Sequence, residues 1–239
     1  GQKPRDVHTW QFNLRFNVAE DRHNADSIGL LREAGINFDE LGEHGIEPMV
    51  FGDLLMTSGL IVNPELTWVT FHGTYDFAYV LKVLLNEPLP HTSEEFLRYL
   101  KHCFPRLYDI KTIVNDFEEW KQRSLSKLGE DLALRREGSM HQAGSDALLT
   151  MDVFFALSAA QFPAGLPARY LNRVFGFHNE GGMPAYSAEM AMHFPQMHYS
   201  YSAPFAFYMP EVYGMESLYP AHALSGSFYH GARPPPSPG

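Results

Sequence analysis

Cysteine is almost absent from this chain: Cys103 stands alone among 239 residues. A single thiol closes no internal disulfide and cannot furnish a cysteine-rich zinc module, so sulfur staples nothing here. Uninterrupted apolar runs of about 18 residues, the length a spanning helix requires, are also lacking. The opening Gly1-Gln2-Lys3-Pro4-Arg5-Asp6 has no apolar signal-peptide region. These absences predict a soluble intracellular protein. Basic charge is scarce, with 18 Lys and Arg against 28 Asp and Glu for a formal net charge of −10. That balance argues against a nonspecific basic nucleic-acid coat, while a local groove or bound divalent cations could still draw in a polyanion. The chain begins with Gly1 rather than methionine and reads as a fragment of a longer protein.

What is present suffices for one substantial core or two small ones, since 45% of the residues are hydrophobic and 19% charged. Composition breaks near residue 178. Residues 179–239 hold five charged side chains, no lysine and no isoleucine, against nine prolines, six glycines, eleven Phe and Tyr and six Met. Prolines this frequent preclude a long helix, and the expectation is a disordered but adhesive tail. It reads either as a partner-binding or self-associating segment or as an extension with no discrete role.

Upstream of the tail, hydrophobic periodicity is informative. Trp10, Phe12, Leu14, Phe16 and Val18 alternate with polar residues, the period of two of a half-buried strand. Asp26 or Ser27 can cap a helix through Ile28, Leu31 and Ala34 that stops at Gly35, and a second helix is predicted over 47–58. The stretch 66–71 is rich in β-branched and aromatic residues and predicts a strand, followed by a helix over 75–85. Thr92-Ser93-Glu94-Glu95 forms a capping box for a helix through Phe96, Leu97, Leu100 and Phe104. Leu107-Tyr108-Asp109-Ile110 predicts a short strand, polar helices are expected through Trp120 and Leu134, and an apolar helix over 145–161. Strands mixed with helices over this length predict an α/β fold in layers around one sheet.

Two segments carry chemistry. Phe71-His72-Gly73-Thr74-Tyr75-Asp76-Phe77 puts a carboxylate just beyond a strand end, at the start of a helix, where ligands of α/β sheets bind. The same aspartate also suits the positive end of a helix dipole. Gly138-Ser139-Met140-His141-Gln142-Ala143-Gly144-Ser145-Asp146 sets a histidine five residues before an aspartate, across a loop of small residues leading into the apolar helix. Asp146 offers hard oxygens suited to magnesium, and an imidazole with an ordinary pKa of about 6.5 can take a proton from an attacking water. Tyr75 and Phe77 flank Asp76 and read as core rather than as a base-stacking platform. Lys111, Arg135 and Arg136 read as ordinary surface charges.

Taken together and in this order, the two segments resemble the CAF-one/POP-two type deadenylases, the nuclease subunits of the CCR-NOT complex. Phe104-Pro105-Arg106-Leu107-Tyr108-Asp109-Ile110-Lys111 lies between them, and Thr9-Trp10-Gln11-Phe12-Asn13 and Leu54-Leu55-Met56-Thr57-Ser58-Gly59 fit the same family. Tyr170-Leu171-Asn172-Arg173-Val174-Phe175-Gly176 resembles the end of its domain, so the likeness covers residues 7–178. The resemblance implies an RNase H-like mixed α/β sheet flanked by helices, and a poly(A)-specific 3′-5′ exoribonuclease acting by two-metal-ion phosphodiester hydrolysis. It implies Mg2+ or Mn2+ as cofactor, with Asp76 and Asp146 as metal ligands and His141 as the catalytic general base. It further implies single-stranded RNA with a 3′ poly(A) end as substrate, and a CCR-NOT scaffold subunit and a second nuclease subunit as partners; with no targeting segment visible, the expected location is cytoplasm and nucleus.

The family's Asp-x-Glu motif belongs on a strand upstream of Trp10, and no such motif precedes Trp10 here. Asp116-Phe117-Glu118 is the one Asp-x-Glu in the sequence; it falls in a charged stretch and reads as a solvated face. With half of the expected acids absent, the alternative is a non-catalytic scaffold or interaction subunit of the same complex.

Overall fold

The computed structural model describes residues 8–177 and the backbone of residues 205–209. The expectation of disorder across 179–239 therefore lies outside the described residues, except at Phe205–Met209, which form a strand.

Side-chain caps set where most helices begin. Asn24 opens α1 (Ala25–Glu33) by accepting the amides of Asp26 and Ser27, and Asn37 does the same for α2 (Phe38–His44) through Asp39 and Glu40. The start of α1 thus precedes the expected Asp26 cap. Pro48 begins α3 (Pro48–Thr57), where a missing N–H costs nothing. Gly73 precedes α4 (Thr74–Leu85), and Thr92 caps α5 (Ser93–Cys103) by accepting the Glu95 amide at 3.2 Å, as its capping box predicts. Asp109 caps α6 (Ile110–Val114), Ser124 caps α7 (Leu125–Asp131), and α8 (Ala143–Gln161) is the long apolar helix. Of the two polar helices expected through Trp120 and Leu134, the first does not form and the second forms as α7 but stops short of Leu134. Residues 117–123 make consecutive turns, and Ala133 at φ 54° ends the chain's helical path before Leu134.

The strands are short. β1 (His8–Phe12) pairs antiparallel with β4 (Phe205–Met209), and β2 (Trp68–Thr70) pairs in parallel with β3 (Leu107–Asp109). A bridge from Tyr108 to Arg173 brings the 170–176 segment beside β3, where Asn172 accepts the Leu107 amide through Oδ1 at 3.0 Å. That segment holds one turn of 3-10 helix, Ala168–Tyr170. Helix α8 packs against β1, β2, β4 and α7, so one helix underlies both strand pairs.

Among the described residues, three apolar clusters fill the interior. Phe77, Leu81, Phe96, Leu100, Cys103, Phe104 and Leu107 join α4, α5 and β3 around the edge-to-face pair Trp68 and Phe104, whose centroids lie 4.9 Å apart. Leu149, Val153 and Leu157, spaced four apart on α8, meet Ile110, Ile113, Val114 and Leu128. Each of these buried aliphatics contributes about 1.5–3 kcal/mol over an exposed one. Phe16, Ile28, Phe38 and Leu41 form the third cluster under α1 and α2. Helix α8 has the length and apolar composition to cross a membrane, but its buried stripe is spent on this core. By contrast α3 leaves Met49, Val50, Leu54 and Met56 exposed.

Candidate active site

Beyond the end of β2 the chain must turn sharply into α4, and Asp109 at the end of β3 holds that turn. Its Oδ1 accepts the His72 amide at 2.8 Å and the Lys111 amide at 2.9 Å, and its Oδ2 accepts Gly73 at 3.2 Å and Phe175 at 3.0 Å. The side chain is fully buried. Burial pushes its carboxyl above the usual range, and the four amides pull the other way. His72 adopts φ 61°, a left-handed conformation held by the bonds of its own amide and of the Gly73 amide to Asp109. Gly73 is required for a different reason: a Cβ there would lie 2.3 Å from Thr70 Oγ1. Thr74 completes the clamp by donating its hydroxyl to the Phe175 carbonyl at 2.5 Å.

Asp76 follows in the first turn of α4. The residue is exposed, yet enough protein surrounds its carboxyl to desolvate it. That desolvation pushes its carboxyl above the ordinary carboxylate range; nearby Asp109 adds to the rise, and its own backbone amide and His72 oppose it. Tyr75, beside it, is 59% exposed, whereas Phe77 is buried at 6%. The expectation that both are core holds for Phe77 alone, because the helix turns Tyr75 to the outside.

His141 is exposed, at φ 64°, in the loop that leads into α8. That loop is seated by two long-range bonds. Gln142 Nε2 donates to the Ala34 carbonyl at 2.7 Å, and Gln11 Oε1 of β1 accepts the Gly144 amide at 2.9 Å. Asp146 sits in the first turn of α8, where Arg136 Nη1 donates to its Oδ1 at 2.5 Å and to Ser145 Oγ at 3.2 Å. Arg136 Nη2 reaches Ser126 Oγ at 2.9 Å. Arg136 is thus no loose surface charge: its side chain is 17% exposed and ties α7 to α8. Lys111 departs from its expected role too, donating to the carbonyls of Lys121 at 3.1 Å and Arg123 at 2.8 Å above the rings of Phe71 and Phe175. Asp116 accepts the Tyr170 hydroxyl at 2.7 Å rather than facing solvent alone.

The carboxylates of Asp76 and Asp146 have the oxygen chemistry of magnesium or manganese ligands. Their number is insufficient. Among the described residues no group of three or more His, Cys, Asp or Glu side chains gathers closely enough to hold an ion. Sequence reasoning missed Asp109 and Arg136, which support the acids without being ligands themselves.

The two acids thus open α4, the helix that follows the parallel strand β2, and α8, the helix that packs against β2. The chain belongs to the CAF1 family of ribonucleases, whose model matches residues 59–154. It is 43% identical over 183 residues to "Poly(A) ribonuclease pop2" of Schizosaccharomyces pombe, covering 77% of this chain and 54% of that protein. It is 42% identical over 174 residues to "Probable CCR4-associated factor 1 homolog 10" of Arabidopsis thaliana, covering 72% and 62% respectively. The chain thus spans little more than half the length of these curated relatives. Among solved structures it matches S. pombe Pop2p in its Mg2+- and Mn2+-bound form, with a TM-score of 0.69 at 43% identity over 73% of this chain and 69% of that one. It also matches the structure of the yeast NOT1 MIF4G domain co-crystallised with CAF1, with a TM-score of 0.60 at 30% identity and the same 73% and 69% coverage.

Proposed function

We propose that this chain is the body of a poly(A)-specific 3′-5′ exoribonuclease that shortens mRNA tails by phosphodiester hydrolysis. The observation that carries the reading is the 43% identity to a poly(A) ribonuclease across the segments that hold Asp76, His141 and Asp146. Divalent Mg2+ or Mn2+ would supply charge stabilisation at the scissile phosphate, with Asp76 and Asp146 as its ligands. His141 takes the proton of the attacking water. Tyr75 offers an exposed ring beside Asp76 on which a terminal adenine can stack.

With two acids, the 239 residues bind metal weakly and turn over RNA slowly; a strand carrying Asp-x-Glu ahead of Thr9 would complete the ligand set. The test compares the 239-residue chain with a form extended upstream by such a strand, on labelled oligoadenylate with magnesium. We expect shortening by the extended form and at least about 100-fold less by the shorter one, a loss of some 2.7 kcal/mol in transition-state stabilisation. Comparable rates, or an inert extended form, would overturn the reading.

A second reading, that the chain serves as a scaffold in the CCR-NOT assembly, is favoured by the exposed apolar face of α3. Met49 and Met56 lie seven residues apart on one side of that helix, with Val50 and Leu54 alongside. We assign this face to a helical scaffold such as the NOT1 MIF4G domain; a second nuclease subunit and residence in cytoplasm and nucleus follow from the same reading. Replacing Met49 and Met56 by glutamate should abolish capture by purified NOT1 MIF4G domain without lowering the melting temperature; retained capture would reject this face.

A further inference from the structure

The aromatic and methionine-rich residues beyond 178 have no place in hydrolysis, yet five of them are built into the fold. Phe205–Met209 pairs along the whole of β1, in the register His8 with Met209, Trp10 with Phe207 and Phe12 with Phe205. Prolines at 204 and 210 bound the strand on both sides, as expected where a ladder must stop. This strand does more than extend an edge. Helix α8 packs against β4 as well as β1 and β2, so the added strand lies on the helix that carries Asp146. Among the described residues β4 is the only strand that forms a ladder with β1.

From β1 the contact leads directly to the start of α8. Gln11, which pairs with Ala206, accepts the Gly144 amide at 2.9 Å through its side chain, and a Cβ on Gly144 would meet that same oxygen at 3.2 Å and Thr9 Cγ2 at 3.7 Å. The fit between β1 and the first turn of α8 is therefore close, and whatever fixes β1 also fixes that turn. The 27 residues 178–204 can span up to roughly 90 Å when extended, so reach does not limit the pairing. Joining the strand through a linker of this length costs only a few kcal/mol of closure entropy, and that cost rises slowly with linker length.

We propose that the edge of β1 is a strand-accepting site whose occupant is Phe205–Met209 of the same chain, and that this strand steadies the Gln11 clasp on the N-terminus of α8. Recognition is by main-chain hydrogen bonds, as in other cases of strand addition. The C-terminal segment is then a working part of the domain, and drawing it away loosens the turn that presents Asp146. This inference does not depend on the nuclease reading, because its signal is structural.

Hydrogen exchange on the 239-residue chain tests it. Adjacent amides in an antiparallel strand alternate in direction, so Ala206→Pro with Phe207→Pro removes a ladder donor whichever of the two faces β1. In that variant the alternate amides among residues 9–12 that face β4 should exchange at least about 10-fold faster, while those of 107–109 keep their parent rate. A synthetic peptide of residues 203–211 added in excess should restore the protection. Unchanged exchange at the β4-facing amides of 9–12 in the variant, or no protected amide at 205–209 in the parent, would overturn the proposal. Should the variant lose protection everywhere, a second experiment decides: Thr9→Cys with Tyr208→Cys, which stand opposite each other, should form a disulfide within one chain, and Thr9→Cys with Ser200→Cys should not. Absence of the first crosslink, or its formation only between two chains, would reject the strand in cis.

Discussion

Arg136 and Asp146 meet at 2.5 Å between Nη1 and Oδ1, and the same guanidinium is held by Ser126 and Ser145. A guanidinium held on both of its terminal nitrogens presents the carboxylate in one orientation. Supports of this kind, one step removed from an ion, orient acids at metal sites. Replacing Arg136 with alanine should cost about 2 kcal/mol of stability, the range for a hydrogen bond to a charged group. Urea unfolding measures the loss, and a double-mutant cycle with Asp146→Asn should recover most of it as coupling. Arg136→Lys should recover less than half, because an ammonium cannot span both serines and the carboxylate.

Asp109 accepts four backbone amides, two on each oxygen. In Asp109→Asn one oxygen becomes an NH2 group facing two amides that had been donating to it. With both left unpaired in the interior, the expected loss is about 4 kcal/mol. Equilibrium denaturation reads this directly; a change below 1 kcal/mol would mean that the turn at His72 is held by something else.

Tyr75 sits outside the core at 59% exposure, so Tyr75→Ala should leave the melting temperature within a degree or two of the parent. Its effect should fall on RNA. Loss of one stacked base is worth about 1–3 kcal/mol, a 5- to 150-fold weaker dissociation constant for oligoadenylate by fluorescence anisotropy. Phe at this position should bind as well as Tyr.

Alkaline stability should depend on Tyr170. Its hydroxyl donates to Asp116 at 2.7 Å and accepts from Arg169 at 2.8 Å; burial first, and then the bond to Asp116, pushes its pKa above the ordinary value. The unfolded chain therefore ionises first, near pH 10, so it binds fewer protons than the folded chain and stability falls as pH rises beyond that point. Tyr170→Phe should be about 1 kcal/mol less stable at pH 7, and the gap should narrow above pH 10 because the variant has nothing to ionise there. Thermal melts between pH 7 and pH 11 check both.

Local signals reached as far as local forces did. The Thr92 capping box and the β-branched run at 66–71 act over a few residues, and α5 and β2 form as they predict. Helix α2 escaped because Gly42 and its run of charges blur the period, and its start rests on one Asn37 cap. The segment around Trp120 misled for the opposite reason: its apolar residues have helical spacing, but the Phe117 and Trp120 rings pack together at 5.4 Å across turns. Asp76 and Asp146 stand at helix starts, which alone suits any helix-opening acid; the order of the two segments that hold them and His141 is what singled them out. The supports could not be singled out in this way. Asp109 bonds to residues 36, 37 and 66 positions away, and no window of sequence contains such partners.

Cys103 lies inside the largest apolar cluster at 4% exposure, and burial pushes its thiol above the ordinary pKa. Being both shielded and protonated, it is silent toward alkylating reagents while α5 stays seated. A brief pulse of a maleimide would therefore tag only those molecules whose interior has opened, and mass spectrometry would count them as one discrete increment. The polypeptide carries its own clock for unfolding, readable in a crude extract without an added dye.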